Sequence, residues 1–224
     1  VNDAPVAGTV TGLTTSEDVG IVITKAQLLA NTTDVDVDAL NITSISVPGA
    51  QGTITSNGNG TYTFVPAANF NGNATISFTV SDGSLTSSST ATVNVTAVND
   101  APVVNAPAVF NMQEDGTLTI HGADLLTNAT DIDGGTLSVA NITVPVNQGT
   151  VTYIGNGDWQ FTPAQDFNGS ANLTFTVSDG TTAVNQFATV NIAAISDAPV
   201  AGNPVTMNTL ENSSLEIHLS DLLA

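Results

Sequence analysis

Cysteine and arginine are both absent from this 224-residue chain, and Lys25 is the sole lysine against twenty acidic residues, a formal net charge of −19. Without cysteine there are no disulfides, thiol nucleophiles or cysteine-held metals. Without a basic surface nothing displaces counterions from phosphates, which excludes nucleic acid as a partner and disfavours an anionic membrane surface. No run approaches the roughly 18 apolar residues of a membrane span, so none is expected. Aromatics make up 5% of the residues, leaving little for an exposed aromatic row once a core is filled. His121 and His218 occur without a paired serine, cysteine or second histidine, so they read as surface or structural groups and no catalytic site is expected.

What the chain has instead is repetition. Asn2-Asp3-Ala4-Pro5 returns as Asn99-Asp100-Ala101-Pro102, 97 positions later, and again as Ser196-Asp197-Ala198-Pro199. Glu17-Asp18 becomes Glu114-Asp115, and Thr33-Asp34-Val35-Asp36 becomes Thr130-Asp131-Ile132-Asp133. Phe70-Asn71-Gly72 and Val80-Ser81-Asp82-Gly83 likewise recur at Phe167-Asn168-Gly169 and Val177-Ser178-Asp179-Gly180. A period this long is a whole domain that can bury its own core. The expected organisation is repeat 1 over 1–98, repeat 2 over 99–195 and the start of a third repeat over 196–224, the chain being an excerpt of a longer array.

Within a repeat the pattern is all-β. Ile76, Phe78 and Val80 alternate with polar residues up to a turn at Asp82-Gly83, and Ala91, Val93, Val95 and Ala97 alternate on the return. Leu173, Phe175, Val177 and Val190, Ile192, Ala194 repeat the hairpin. A second hairpin runs from Gly52 through a turn at 57–60 to Tyr62 and Phe64, and its copy carries Trp159 and Phe161. The parity of Tyr62 and Trp159 assigns them to the core and not to a sugar-stacking platform. About seven short strands per repeat predict tandem immunoglobulin-like β-sandwiches. One helical turn is expected near 25–30 and 121–127, with its Leu-Leu pair plugging the core.

Strand direction then collects the acids. If the first and last strands of repeat 1 both run toward its exit, Glu17, Asp18, Asn99 and Asp100 arrive together. The returning chain of repeat 2 and its final hairpin turn bring Asp131, Asp133 and Asp179 to the same joint. Calcium takes six to eight oxygens from carboxylates, amides and carbonyls, at about 2.3–2.6 Å, and this set supplies that chemistry. The same placement puts Asp3, Asp34, Asp36, Asp38 and Asp82 at the entry of repeat 1, Glu114, Asp115 and Asp197 at the exit of repeat 2, and Glu211 at the matching place of the third repeat. Such clustering of like charge is costly without a cation.

Together, Val-Asn-Asp-Ala-Pro-Val at the joint, the early Glu-Asp, Asp-x-Asp, Phe-Asn-Gly and Val-Ser-Asp-Gly resemble the bacterial cadherin-like tandem repeats of giant extracellular, RTX-type adhesins. The resemblance implies calcium between successive domains, held by the early-loop glutamate, the linker Asn-Asp and the Asp-x-Asp of the next repeat. The Asp-Arg-Glu motif of cadherins has no evident counterpart; the corresponding stretch, 66–72, has no carboxylate. The implied function is a non-catalytic, calcium-stiffened spacer on the bacterial cell surface, serving adhesion or biofilm attachment. Its partners would be neighbouring repeats of the same chain, with other copies or a polysaccharide as further candidates. The alternatives are a calcium-dependent carbohydrate-binding module and a strand-docked subunit of an extracellular filament. For the last, the apolar residues Val205, Met207, Leu210, Leu215, Ile217 and Leu219 would pair with the edge of another chain. The last joint, lacking an Asp-x-Asp of its own, is expected to bind calcium more weakly than the central one.

Overall fold

The computed structural model describes residues 1–198 and 206–218. The first repeat forms β1 (Val6–Ala7), β2 (Val10–Ser16), β3 (Ile21–Thr24), α1 (Lys25–Leu28), β4 (Thr32–Thr33), β5 (Asn41–Ser46), β6 (Gly52–Ser56), β7 (Thr61–Pro66), β8 (Gly72–Ser81) and β9 (Thr86–Thr96). The second forms β10 (Val103–Val104), β11 (Ala108–Gln113), β12 (Leu118–His121), α2 (Gly122–Leu125), β13 (Ala129–Thr130), β14 (Ser138–Thr143), β15 (Gly149–Gly155), β16 (Asp158–Pro163), β17 (Gly169–Ser178) and β18 (Ala183–Ala193). No helix among the described residues is long and apolar enough to cross a membrane.

Each repeat builds a four-stranded and a three-stranded sheet: β2-β9-β8-β5 with β3-β7-β6, then β11-β18-β17-β14 with β12-β16-β15. The two-residue strands β1 and β4, and β10 and β13, pair as short ribbons. In the first repeat Ile23 and Phe64 from the small sheet share one buried cluster with Ile76, Phe78, Val80 and Val93 from the large one. This is the β-sandwich that the period-2 alternation requires, since each sheet has one apolar face to bury. In the second repeat Ile120, Trp159, Phe161, Leu173, Phe175, Val177 and Val190 are buried at the equivalent places. Trp159 is a core residue, with the Tyr153 ring 5.4 Å away.

Local chemistry explains the details. Gly52 sits at φ +145°, and a Cβ there would lie 2.3 Å from the Val65 carbonyl and 2.9 Å from the Phe64 ring, so only glycine fits this crossing. Thr24 caps α1 through a capping box with Gln27. At the same position His121 has no side-chain cap bond and instead places Nδ1 3.0 Å from Asp158 Oδ1. The helical turns are shorter than their sequence spans, and only the first leucine of each pair, Leu28 and Leu125, is buried. Ala97 lies past the end of β9 and is exposed, because the chain has left the sheet by then.

Two compact units emerge, and they depart from the sequence period. The first comprises Val1–Val103 with Thr130–Leu137 and Ser178–Ala183; the second comprises Val104–Ala129, Ser138–Val177 and Val184–Ala224. The loops that carry Asp131, Asp133 and Asp179 therefore group with the first unit. No strand forms among the described residues 206–218, where Ser213 N–H donates to the Leu210 carbonyl at 3.2 Å in a turn. Of the apolar residues assigned there, Val205 and Leu219 lie outside the described residues, as do Pro199, Leu222 and Leu223.

Candidate metal centre

The central cluster belongs to the first unit. β2 runs parallel to β9, with Leu13 opposite Val93 and Ser16 opposite Thr96. Glu17 and the chain leaving β9 consequently arrive side by side, and Glu17 N–H donates to the Thr96 carbonyl at 2.9 Å. The Glu17 side chain is only 2% exposed; its Oε1 accepts from Val98 N–H, while its buried Oε2 accepts no hydrogen bond. Asp18 follows at φ +59°, a left-handed turn that aspartate tolerates.

Asp100 N–H donates to Asp133 Oδ2 at 2.7 Å. Asp131 Oδ1 accepts from Asp133 N–H at 2.9 Å, which fixes the carboxylate and leaves its buried Oδ2 without a hydrogen bond. Asp100 Oδ2 is in the same condition. Partial burial, then the negative charges of Asp133, Asp18, Glu17 and Asp131, raise the Asp100 pKa above its ordinary value. A cavity of about 400 Å³ beside these groups is lined by Asn69, Asp100, Ala101, Val103, Thr130, Asp131 and Ile132.

Asp179 has another task. Its Oδ2 accepts from Asn99 Nδ2 at 2.9 Å, and its Oδ1 accepts from Thr181 and Thr182 N–H, each at 2.6 Å. These bonds, the Asn99 amide first, lower its pKa. Asn99 Nδ2 also donates to the Asp100 carbonyl at 2.9 Å, so the amide is held by its nitrogen and keeps Oδ1 as an acceptor. The seven residues expected at this joint, Glu17, Asp18, Asn99, Asp100, Asp131, Asp133 and Asp179, are thus near one another, with Asp179 joined to the rest by its hydrogen bond from Asn99.

The entry of the first repeat reproduces the main hydrogen bonds of this construction. Asp3 N–H donates to Asp36 Oδ2 at 2.7 Å, Asn2 Nδ2 donates to Asp82 Oδ2 at 2.9 Å, and Asp34 Oδ1 accepts from Asp36 N–H at 3.0 Å. Asp34 Oδ2 is buried without a hydrogen bond, as at its equivalent Asp131. Ligand-capable oxygens of Asp34, Asp36 and Asp38 lie within 4.8 Å of one another. Hydrogen bonds from Leu85 and Ser84 N–H, then Asn2, lower the Asp82 pKa.

A third cluster lies in the second unit. Glu114, 4% exposed, accepts from Ile195 N–H at Oε1 (2.7 Å) and from Asn168 Nδ2 at Oε2 (3.3 Å). The charge of Asp115, then partial burial and the charges of Asp166 and Glu114, raise the Asp197 pKa. Asp166 and its equivalent Asn69 belong to no acidic motif of the sequence, since the stretch 66–72 has no carboxylate. Their shared left-handed conformation, φ +57° and +56°, aims that loop alike in both repeats. The signal that would have found them is the 97-residue period: an asparagine in one copy standing where an aspartate stands in the other.

The donor set suits calcium. Carboxylate and amide oxygens make up the set, and among the described residues Glu17 Oε2, Asp100 Oδ2 and Asp131 Oδ2 are buried acceptors with no hydrogen-bond donor.

The family model described as Cadherin-like domain matches residues 1–96 and 98–193. Among solved structures, human protocadherin-24 EC1-2 (Form II) is 18% identical, with 85% of this chain and 95% of that one covered and a TM-score of 0.50. Protocadherin gamma B2 extracellular domains 1-5 match at 18% identity, 89% and 42% coverage and a TM-score of 0.49. An endo-fucoidan hydrolase of glycoside hydrolase family 107 matches at 24% identity and a TM-score of 0.34; the alignment covers 86% of this chain but only 29% of that enzyme. No curated protein matches the chain.

Proposed function

Because this chain belongs to the cadherin-like domain family, we propose that it is a non-catalytic extracellular adhesion segment whose repeats, 1–98, 99–195 and the beginning of a third over 196–224, act as a calcium-stiffened spacer on a bacterial surface. The observation that carries this reading is the trio of buried, unpartnered carboxylate oxygens on Glu17, Asp100 and Asp131, gathered where four other carboxylates crowd Asp100. Glu17, Asp18, Asn99, Asp100, Asp131 and Asp133 would hold the ion, with Asp179 orienting Asn99. Asp3, Asp34, Asp36 and Asp38 would hold another, with Asp82 in the orienting role. Glu114, Asp115, Asp166 and Asp197 would hold a third, more weakly because Asn168 already occupies Glu114 Oε2.

Calcium supplies positive charge that turns mutual repulsion into shared coordination. At a dissociation constant of about 0.1 mM and calcium of about 1 mM, binding contributes on the order of 1.4 kcal/mol per ion. That is enough to bias a hinge in the segment around 97–103. Isothermal titration of the full chain with calcium, alongside X-ray scattering with and without chelator, tests the reading. Heat of binding and a calcium-dependent maximum dimension are expected; no binding at millimolar calcium sinks the metal site, and unchanged scattering sinks the stiffening.

A further inference from the structure

We propose that the outward face of the β14-β17-β18 sheet binds a neutral polysaccharide, an activity separate from the spacer role. Asn141, Thr143, Thr174, Thr176, Asn185 and Phe187 line an open groove of about 520 Å³ there. Phe187 is 58% exposed on a strand whose opposite face is core, a large apolar ring left in water amid polar neighbours.

The first repeat provides an internal control. Stepping back 97 positions replaces Phe187 with Thr90, Asn141 with Ser44, Asn185 with Ser88, Thr143 with Ser46 and Thr174 with Ser77, while Thr176 remains threonine as Thr79. The buried residues barely change over the same strands: Phe78 and Val80 correspond to Phe175 and Val177, Ala91 and Val93 to Ala188 and Val190. The fold therefore asks only for small hydroxyl residues on this face, and the second repeat has added an aromatic ring and two amides that the sandwich does not need.

Those additions match the chemistry of a sugar chain. An aromatic face packs against the C–H face of a pyranose, and amides and hydroxyls exchange hydrogen bonds with its hydroxyls. The groove is partly pre-ordered: Thr143 Oγ1 and Thr174 Oγ1 are 2.7 Å apart, and Asn141 Nδ2 donates to Thr176 Oγ1 at 3.5 Å. Two strand spacings separate β14 from β18, about 10 Å, so the face spans more than one sugar ring. None of the six residues is charged in a chain of net charge −19, so an acidic polysaccharide meets repulsion and no basic group, whereas a neutral one meets only matched polar groups.

The test is native affinity electrophoresis of the full chain at fixed calcium, in gels containing the neutral polysaccharides laminarin, dextran or galactomannan, or the acidic alginate. Retardation by at least one neutral polysaccharide is expected, with Phe187→Thr weakening it up to about tenfold while leaving the melting temperature unchanged. The double variant Asn141→Ser/Asn185→Ser, which restores the first repeat's residues, should weaken it as well and stands in should Phe187→Thr misfold. Absence of retardation by all three neutral polymers overturns the proposal. So does equal retardation by alginate, or binding indifferent to both variants. Sedimentation showing that the chain self-associates and that Phe187→Thr makes it monomeric would assign the face to a second copy of this chain and overturn it too.

Discussion

Asp100 gives its backbone N–H to Oδ2 of Asp133 at 2.7 Å, and Asp3 gives its own to Asp36 at the same 2.7 Å. In each case a residue of the Asn-Asp-Ala-Pro motif is fastened to the second aspartate of an Asp-x-Asp 33 positions later. Asp133→Ala removes a charge-assisted hydrogen bond and a candidate ligand together. Titration should show the central site weakened by about tenfold or more, while the cluster at Asp34 and Asp36, which shares none of these partners, keeps its affinity. Unchanged binding would mean that the ligands have been misassigned.

Glu17→Gln separates anchoring from ligation. A glutamine still offers an oxygen to Val98 N–H but withdraws a negative charge from beside Asp100. In chelator its melting temperature should equal or exceed that of the parent chain, and the rise on adding about 1 mM calcium should shrink by about 1 kcal/mol equivalent for a tenfold loss of affinity. A fall in both conditions would make Glu17 an anchor alone.

The two directions of pKa shift set the pH dependence. Asp100 and Asp197 are raised, so in chelator they contribute stability that is present below the ordinary carboxylate range and lost as pH climbs through their folded values. Asp82 and Asp179 are lowered, so their contribution holds above that range and is lost as pH falls through their folded values. Melting in chelator should therefore rise as pH falls from neutral through the folded values of Asp100 and Asp197, and decline at stronger acid as Asp82 and Asp179 take up protons. With calcium the mild-acid gain should vanish, since protons then compete with the ion. A monotonic fall with acidity in chelator would contradict the crowding at Asp100.

Val37 adopts φ +62°, an awkward conformation for a β-branched residue, and at the equivalent position the second repeat has Gly134 at φ +78°. Since Val37 is largely exposed, Val37→Gly loses little packing and relieves backbone strain. A stability gain of about 1 kcal/mol is expected, measured by denaturant unfolding. Gly134→Val should cost about the same. A loss from Val37→Gly would mean that the loop gains more from a stiffer chain than it pays in strain.

How much of this could be read in the sequence depended on what each residue touches. Ile76, Phe78 and Val80 announce a buried face because alternation is imposed by the strand itself, and Glu17, Asp100 and Asp131 could be placed once strand direction was followed. Asn69 and Asp166 could not, since their position rests on a left-handed loop residue rather than on any strand period. The division between Asp131, with a free oxygen, and Asp179, with both oxygens engaged, was hidden as well: backbone N–H groups hold Oδ1 of each, and the difference is the Asn99 amide on Asp179 Oδ2, a contact between residues 80 positions apart. Phe187 was legible only by comparing the repeats, because one exposed aromatic leaves no mark on composition.

The parallel pairing of the outer strands has a mechanical consequence. Val10 to Ser16 runs beside 91–96, and Ala108–Gln113 runs in unbroken register beside 188–193. Tension applied at the two ends of a repeat pulls such neighbours past each other along their length. Their hydrogen bonds are loaded in shear and must give way together, rather than opening one at a time like a zip. A repeat built this way resists pulling most strongly along the line that joins its two ends.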